Sequence, residues 1–77
     1  MRVKYTVVIE KAPDNYAAYV PDLPGCVATG RTREETLAEI REAIELHLES
    51  LCEHGEPAPQ PQATADTVEV AAAGASG

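Results

Sequence analysis

Four side chains in this 77-residue sequence have the chemistry of metal ligands or nucleophiles: Cys26, His47, Cys52 and His54. Their spacing works against a metal centre. Cys52 and His54 stand two positions apart, so on a helix they project in different directions. Cys26 is remote in the chain, and neither a C-x-x-C nor an H-x-x-x-H pair is present. Cys26 shortly precedes a predicted helix, where a thiol can be activated. No Cys/His or Ser/His/Asp grouping accompanies it, however, and burial is the commoner fate of a free cysteine. Thirteen acidic residues offer carboxylate chemistry. Acid–base pairs and two-metal sites need carboxylates that converge from several elements into a pocket. Here most of them fall on one stretch, and so small a domain has little room for a pocket. The expectation is no catalytic residue, no metal, no cofactor and no enzyme.

The element that positions most of these groups is residues 32–54, TREETLAEIREAIELHLESLCEH. Leu37, Ile40, Ile44, Leu48 and Leu51 recur with helical period on one stripe, with Glu35, Glu39, Glu42, Glu49 and Glu53 on the opposite side. Thr32 followed by Glu35 fits a capping box, in which each side chain serves a backbone N–H of the first turn. Gly55 and then Pro57 mark the stop.

Upstream, residues 2–11 alternate with period two, Val3, Tyr5, Val7 and Ile9 pointing one way, and read as a half-buried strand. Residues 12–15, APDN, form a turn, and residues 16–20 a second strand paired to the first as a hairpin. The segment PDLPG at 21–25 contains two prolines, which make it a rigid connector. Residues 26–29 form a short third strand before Gly30 turns into the helix. Such a sheet needs a cover, and the leucine–isoleucine stripe supplies it, giving an α/β (α+β) two-layer domain. After the helix, residues 56–65 (EPAPQPQATA) read as extended and exposed. Residues 67–70, TVEV, read as a last strand, so the order is β-β-β-α-β; residues 1–70 form the domain and residues 71–77 a disordered tail.

A chain this short buries only about 60% of its unfolded surface. Two cysteines are too few for a disulfide framework, no secretory signal precedes Tyr5 and no apolar run approaches a membrane span, so a reduced, cytoplasmic setting is expected. The net charge of −7, with a pI near 4.6, repels a phosphate backbone and favours a basic protein partner.

The acidic helix sharpens this. Residues 32–54 hold seven Glu and two Arg, a net of 2 − 7 = −5. Glu34 and Glu35 suit the helix N-terminus, but Glu49 and Glu53 sit near the negative end of the helix dipole. The i,i+4 pairs Glu35/Glu39, Glu45/Glu49 and Glu49/Glu53 each oppose the helix by roughly 0.2–0.5 kcal/mol. A basic partner would offset that repulsion, and Leu46, projecting from the acidic face, would anchor it.

The run Tyr16-Ala17-Ala18-Tyr19-Val20-Pro21-Asp22-Leu23-Pro24-Gly25-Cys26, then Gly30-x-Thr32-x-Glu34-Glu35, then residues 40–44 (IREAI), resembles the HicB antitoxin family. The segment Gly55-Glu56-Pro57-x-Pro59 and the VEV at 68–70 continue the likeness, which covers roughly residues 3–70. The resemblance implies a partial ribonuclease-H-like fold without its catalytic carboxylates. It also implies a function: an antitoxin that occludes a HicA-like toxin, a small basic mRNA-cleaving ribonuclease. Many members carry a C-terminal DNA-binding segment, which AAAGASG does not resemble, so operator binding by these residues is not expected; a homodimer or higher oligomer is. Arg31 stands where the family often has Asp, and Thr36 where it often has Ala.

The candidate partner-binding residues are Glu39, Glu42, Leu46 and Glu49 on the helix, with Asp22, Pro24, Gly25 and Cys26 from the connector. The competing functional reading is a self-assembling scaffold or transcription-associated regulator with no toxin partner.

Overall fold

The structure, a computed structural model, describes residues 2–72. Its elements are β1 (Val8–Lys11), β2 (Tyr16–Tyr19), β3 (Val27–Gly30) and α1 (Arg33–Glu53). The strands form one antiparallel sheet in the order β1-β2-β3, with the helix packed over β2 and β3. This is the two-layer α+β arrangement that the periodicities predict.

Register explains which side chains meet the helix. Ile9 pairs with Ala18, and Ala18 with Ala28, so these three share one face of the sheet. Small alanines at the sheet centre let the helix approach closely. Ala18, Val20, Leu23, Cys26 and Ile40 form the buried core, and Tyr5, Val7, Ala43, Ile44 and Leu48 pack around it. Val8, Tyr19 and Val27 lie on the opposite, outer face.

The first strand is shorter than its alternating pattern. β2 is only four residues long, Tyr16–Tyr19, so ladder pairing stops at Val8, the partner of Tyr19. Residues 2–7 run on without a ladder partner among the described residues. The third strand starts one residue late, because the Cys26 N–H donates to the Leu23 carbonyl at 3.0 Å inside the connector turn.

Both ends of α1 are capped as its sequence suggests, with one difference. Thr32 Oγ1 accepts from the Glu35 N–H at 3.0 Å, but the Glu35 carboxylate accepts from the Arg31 N–H, one residue before the capping-box partner. At the far end the Glu56 N–H reaches Leu51 O and the Gly55 N–H reaches Cys52 O, with Gly55 at φ +71°. This is a Schellman closure, and glycine takes its left-handed position without a Cβ penalty.

The predicted last strand is a correction. Residues 67–70 form no strand: Val68 is 82% and Val70 77% exposed, and the Thr67 N–H is taken by the Asp66 carboxylate at 2.8 Å. The segment that precedes them is held by side chains instead of a ladder. Tyr5 Oη donates to Pro59 O and Thr6 Oγ1 to Ala63 O, both at 2.6 Å. The Asp22 carboxylate accepts from the Gln62 and Ala63 N–H groups. The chain leaves this anchorage without an adjacent strand to complete a ladder. Of the tail anticipated at 71–77, residues 73–77 lie outside the described residues.

Candidate functional site: an acidic groove beside the third strand

Length alone sets up the site. A 21-residue helix spans about 31 Å and a four-residue strand about 13 Å, so α1 overhangs the sheet. Its start is pinned where Gly30 meets Thr36: a Cβ built on Gly30 would stand 2.6 Å from Thr36 Oγ1 and 2.8 Å from Thr36 N. Thr36 is fully buried there, and its hydroxyl donates to Thr32 O at 2.7 Å. From that contact the helix runs along β3, whose outer edge has no neighbouring strand among the described residues.

Between them lies an open groove of about 250 Å³ lined by Val27, Ala28 and Thr29 on one side and Glu39, Glu42 and Leu46 on the other. Three of the sequence candidates, Glu39, Glu42 and Leu46, are therefore brought together. Leu46 is 60% exposed beside two carboxylates, and Val27, 64% exposed, borders the groove at the strand edge with its side chain on the outer face of the sheet. Glu49 is also exposed, one turn beyond Leu46, but does not line the groove. A groove this small and open falls short of a typical small-molecule pocket.

The connector residues divide. Pro24 and Gly25 are exposed at the approach to Val27, with Gly25 at φ +85°. Asp22 is half-buried and engaged by the backbone at residues 62 and 63. Cys26 is 4% exposed, so as a candidate contact its side chain is corrected to a core position; the turn from Leu23 folds it inward. Burial also pushes the Cys26 thiol up from its ordinary value, the opposite of what a nucleophile needs.

Val27 is the site residue that sequence reasoning missed. Its signal was the period-two pattern after Gly25, which places Val27 opposite Ala28 and hence on the outer face. The remaining chemically capable groups are dispersed. His54 Nδ1 lies 2.7 Å from Ser50 O as part of the helix end, and Cys52 is exposed. Among the described residues no three His, Cys, Asp or Glu side chains gather as a metal site, and no helix is long and apolar enough to cross a membrane.

The fold is that of a small two-layer α+β domain, one long helix over a three-stranded antiparallel sheet. Residues 5–73 match the family described as the HicB_like antitoxin of bacterial toxin-antitoxin systems, and the chain belongs to that family. A UPF0150 protein of Thermoplasma acidophilum is 46% identical over 67 residues, covering 86% of this chain and 97% of that protein. An uncharacterised 14.9 kDa protein of Haemophilus phage HP1 is 41% identical over 56 residues, 73% of this chain but only 42% of the phage protein. Among solved structures, a chain of the HicA3 and HicB3 toxin–antitoxin complex superposes with a TM-score of 0.65 at 32% identity. That match covers 78% of this chain and 70% of the other.

Proposed function

We propose that this protein is the antitoxin of a type II toxin–antitoxin pair, acting in the cytoplasm as a homo-oligomer. It binds a small basic HicA-like mRNA-cleaving ribonuclease and covers its active site without catalysing a reaction itself. Family membership and the likeness to a toxin–antitoxin complex support the toxin–antitoxin role. The observation that carries the choice of surface is the groove beside β3, where Glu39 and Glu42 flank the exposed Leu46 and Val27. Residues 1–70 act as one HicB-like unit, read as a partial ribonuclease-H-like fold. With a net charge of −7, the unit does not bind operator DNA unaided.

In this reading Leu46 and Val27 supply the desolvated centre of the contact and Glu39, Glu42 and Glu49 its charged rim, while Pro24 and Gly25 bound one end. Asp22 acts indirectly, through the segment it holds. The test is the affinity for the basic protein encoded beside the gene. Glu42→Lys with Glu49→Lys weakens binding by about tenfold or more, chiefly through the association rate and more at low salt. Leu46→Asp weakens it by about 30-fold or more, the scale of an interface anchor. Circular dichroism checks that both variants keep the fold. Unchanged affinity in both variants removes this surface from the account.

A further inference from the structure

The segment beyond Ala63 has a pattern that the isolated chain does not use. Every described residue from 64 to 72 is exposed, and Val68 and Val70 occupy alternate positions, the spacing of a strand with one apolar face. The radius of gyration is 15.6 Å, against about 11.5 Å for a compact chain of this length. The principal extents of 54 × 27 × 19 Å describe an elongated molecule.

A receptor for such an arm exists on the other side of the sheet from the acidic groove. Among the described residues β1 pairs with β2 alone, so its outer edge is open. Because α1 lies over β2 and β3, a groove of about 820 Å³ remains between the helix and the first-strand segment. Val3, Tyr5 and Val7 form one wall, and Leu37, Ile44 and Leu48 the other. A strand added beside β1 sends alternate side chains into this apolar groove. Charge fits as well. Residues 2–11 hold Arg2, Lys4 and Lys11 against Glu10 alone, and the groove adds Arg41 and Glu45, while the arm carries Asp66 and Glu69.

We infer that residues 66–70 of one copy add as a fourth strand to the β1 edge of a second copy, with Val68 and Val70 seated in its groove, and that the exchange is reciprocal. This deepens the self-association in the proposed function and leaves the toxin-facing groove beside β3 free. Asp22 and Thr6 hold Ala63. Every described residue beyond it is exposed, so the arm is seated on neither the β1 edge nor the groove of its own chain, while an identical edge on a second copy is open to it. A two-fold exchange uses each arm and each edge once and leaves neither open.

The test uses the full chain with Cys52→Ser. One population carries Val68→Cys and a separately tagged one carries Glu10→Cys; they are mixed and treated with a short bis-maleimide. Arm exchange gives a cross-linked species containing both tags. A third population carries both substitutions in one chain, and cross-linking there with none between the two tags shows closure within a chain and overturns the inference. Light scattering provides the second readout. Val68→Asp with Val70→Asp weakens dimerisation by about 100-fold, the equivalent of exposing two valine side chains. A dimer that survives this change refutes the arm as its basis while sparing self-association itself. A wild-type monomer at all concentrations overturns both. Neither outcome alters toxin binding through the β3 groove, so the antitoxin reading is judged separately.

Discussion

Replacing Asp22 with alanine releases the segment that follows the helix without emptying the core. The carboxylate accepts the Gln62 N–H at 3.2 Å and the Ala63 N–H at 3.1 Å, closing a connection of about forty residues between the β2–β3 connector and the chain beyond α1. Two charge-assisted bonds at a half-exposed site together contribute about 2 kcal/mol. The released N–H groups regain water, so no orphaned-donor penalty adds to that figure. A loss of about 2 kcal/mol in the local opening free energy speeds amide exchange at Gln62 and Ala63 by about 30-fold. The urea midpoint moves far less, because the buried cluster of Ala18, Val20, Leu23, Cys26 and Ile40 is untouched. Asp22→Asn, which keeps the size and one acceptor oxygen, falls between. Native-state hydrogen exchange read residue by residue is the assay. If both amides in Asp22→Ala exchange within about threefold of wild type, the carboxylate does not hold the segment. If in addition only toxin affinity falls, Asp22 belongs to the interface instead.

Gly30→Ala drives a Cβ to 2.6 Å from Thr36 Oγ1; overpacking of this kind costs about 1–3 kcal/mol, a fall of at least about 4 °C in thermal midpoint by calorimetry. Thr32→Ala removes the acceptor of the Glu35 N–H and lowers stability by about 1 kcal/mol in urea unfolding. A thiol reagent modifies Cys52 rapidly in the native protein and Cys26 only on unfolding, since one is exposed and the other buried. The raised Cys26 pKa also makes stability fall as pH climbs above the ordinary thiol value of 9.0. There the unfolded thiol ionises first and the folded state binds more protons, whereas below that pH both states are neutral and this contribution does not vary. Cys26→Ala flattens this alkaline slope in pH-dependent urea titrations.

The helix was legible because start, face and stop are each local. Thr32, the stripe through Ile40 and Gly55 act within a turn or two of themselves. The facing of the strands was legible for the same reason, and Tyr5, Val7 and Ile9 do turn toward the core. What the residues did not reveal depends on distant partners. The first strand stops at Val8 because of the length of β2, a limit that alternation in residues 2–11 does not contain. Thr36 reads as a polar departure beside the helix start, yet Gly30 lets it become one of the most buried side chains. The TVEV segment has genuine strand pattern and no strand, since a pattern gives periodicity and not a neighbour. In the candidate site, helical spacing placed Glu39, Glu42 and Leu46 together correctly, but their partner wall at Val27 depends on which edge of the sheet the helix follows. Cys26 and Asp22 were candidate contacts at a rigid corner, although burial was already the commoner fate for a free cysteine; tertiary contacts draw Cys26 into the core and Asp22 to residues 62 and 63.

The proposed function is the silencing of a ribonuclease by covering it. The most direct measurement co-purifies the chain with the basic protein encoded beside it and then assays RNA cleavage as the chain is titrated back onto the isolated partner. The expected result is a stoichiometric complex in which cleavage ceases at equivalence, with the Leu46→Asp variant shifting the inhibition curve to higher concentration. Cleavage that continues in a saturated complex, or a neighbour that forms no complex at all, contradicts it.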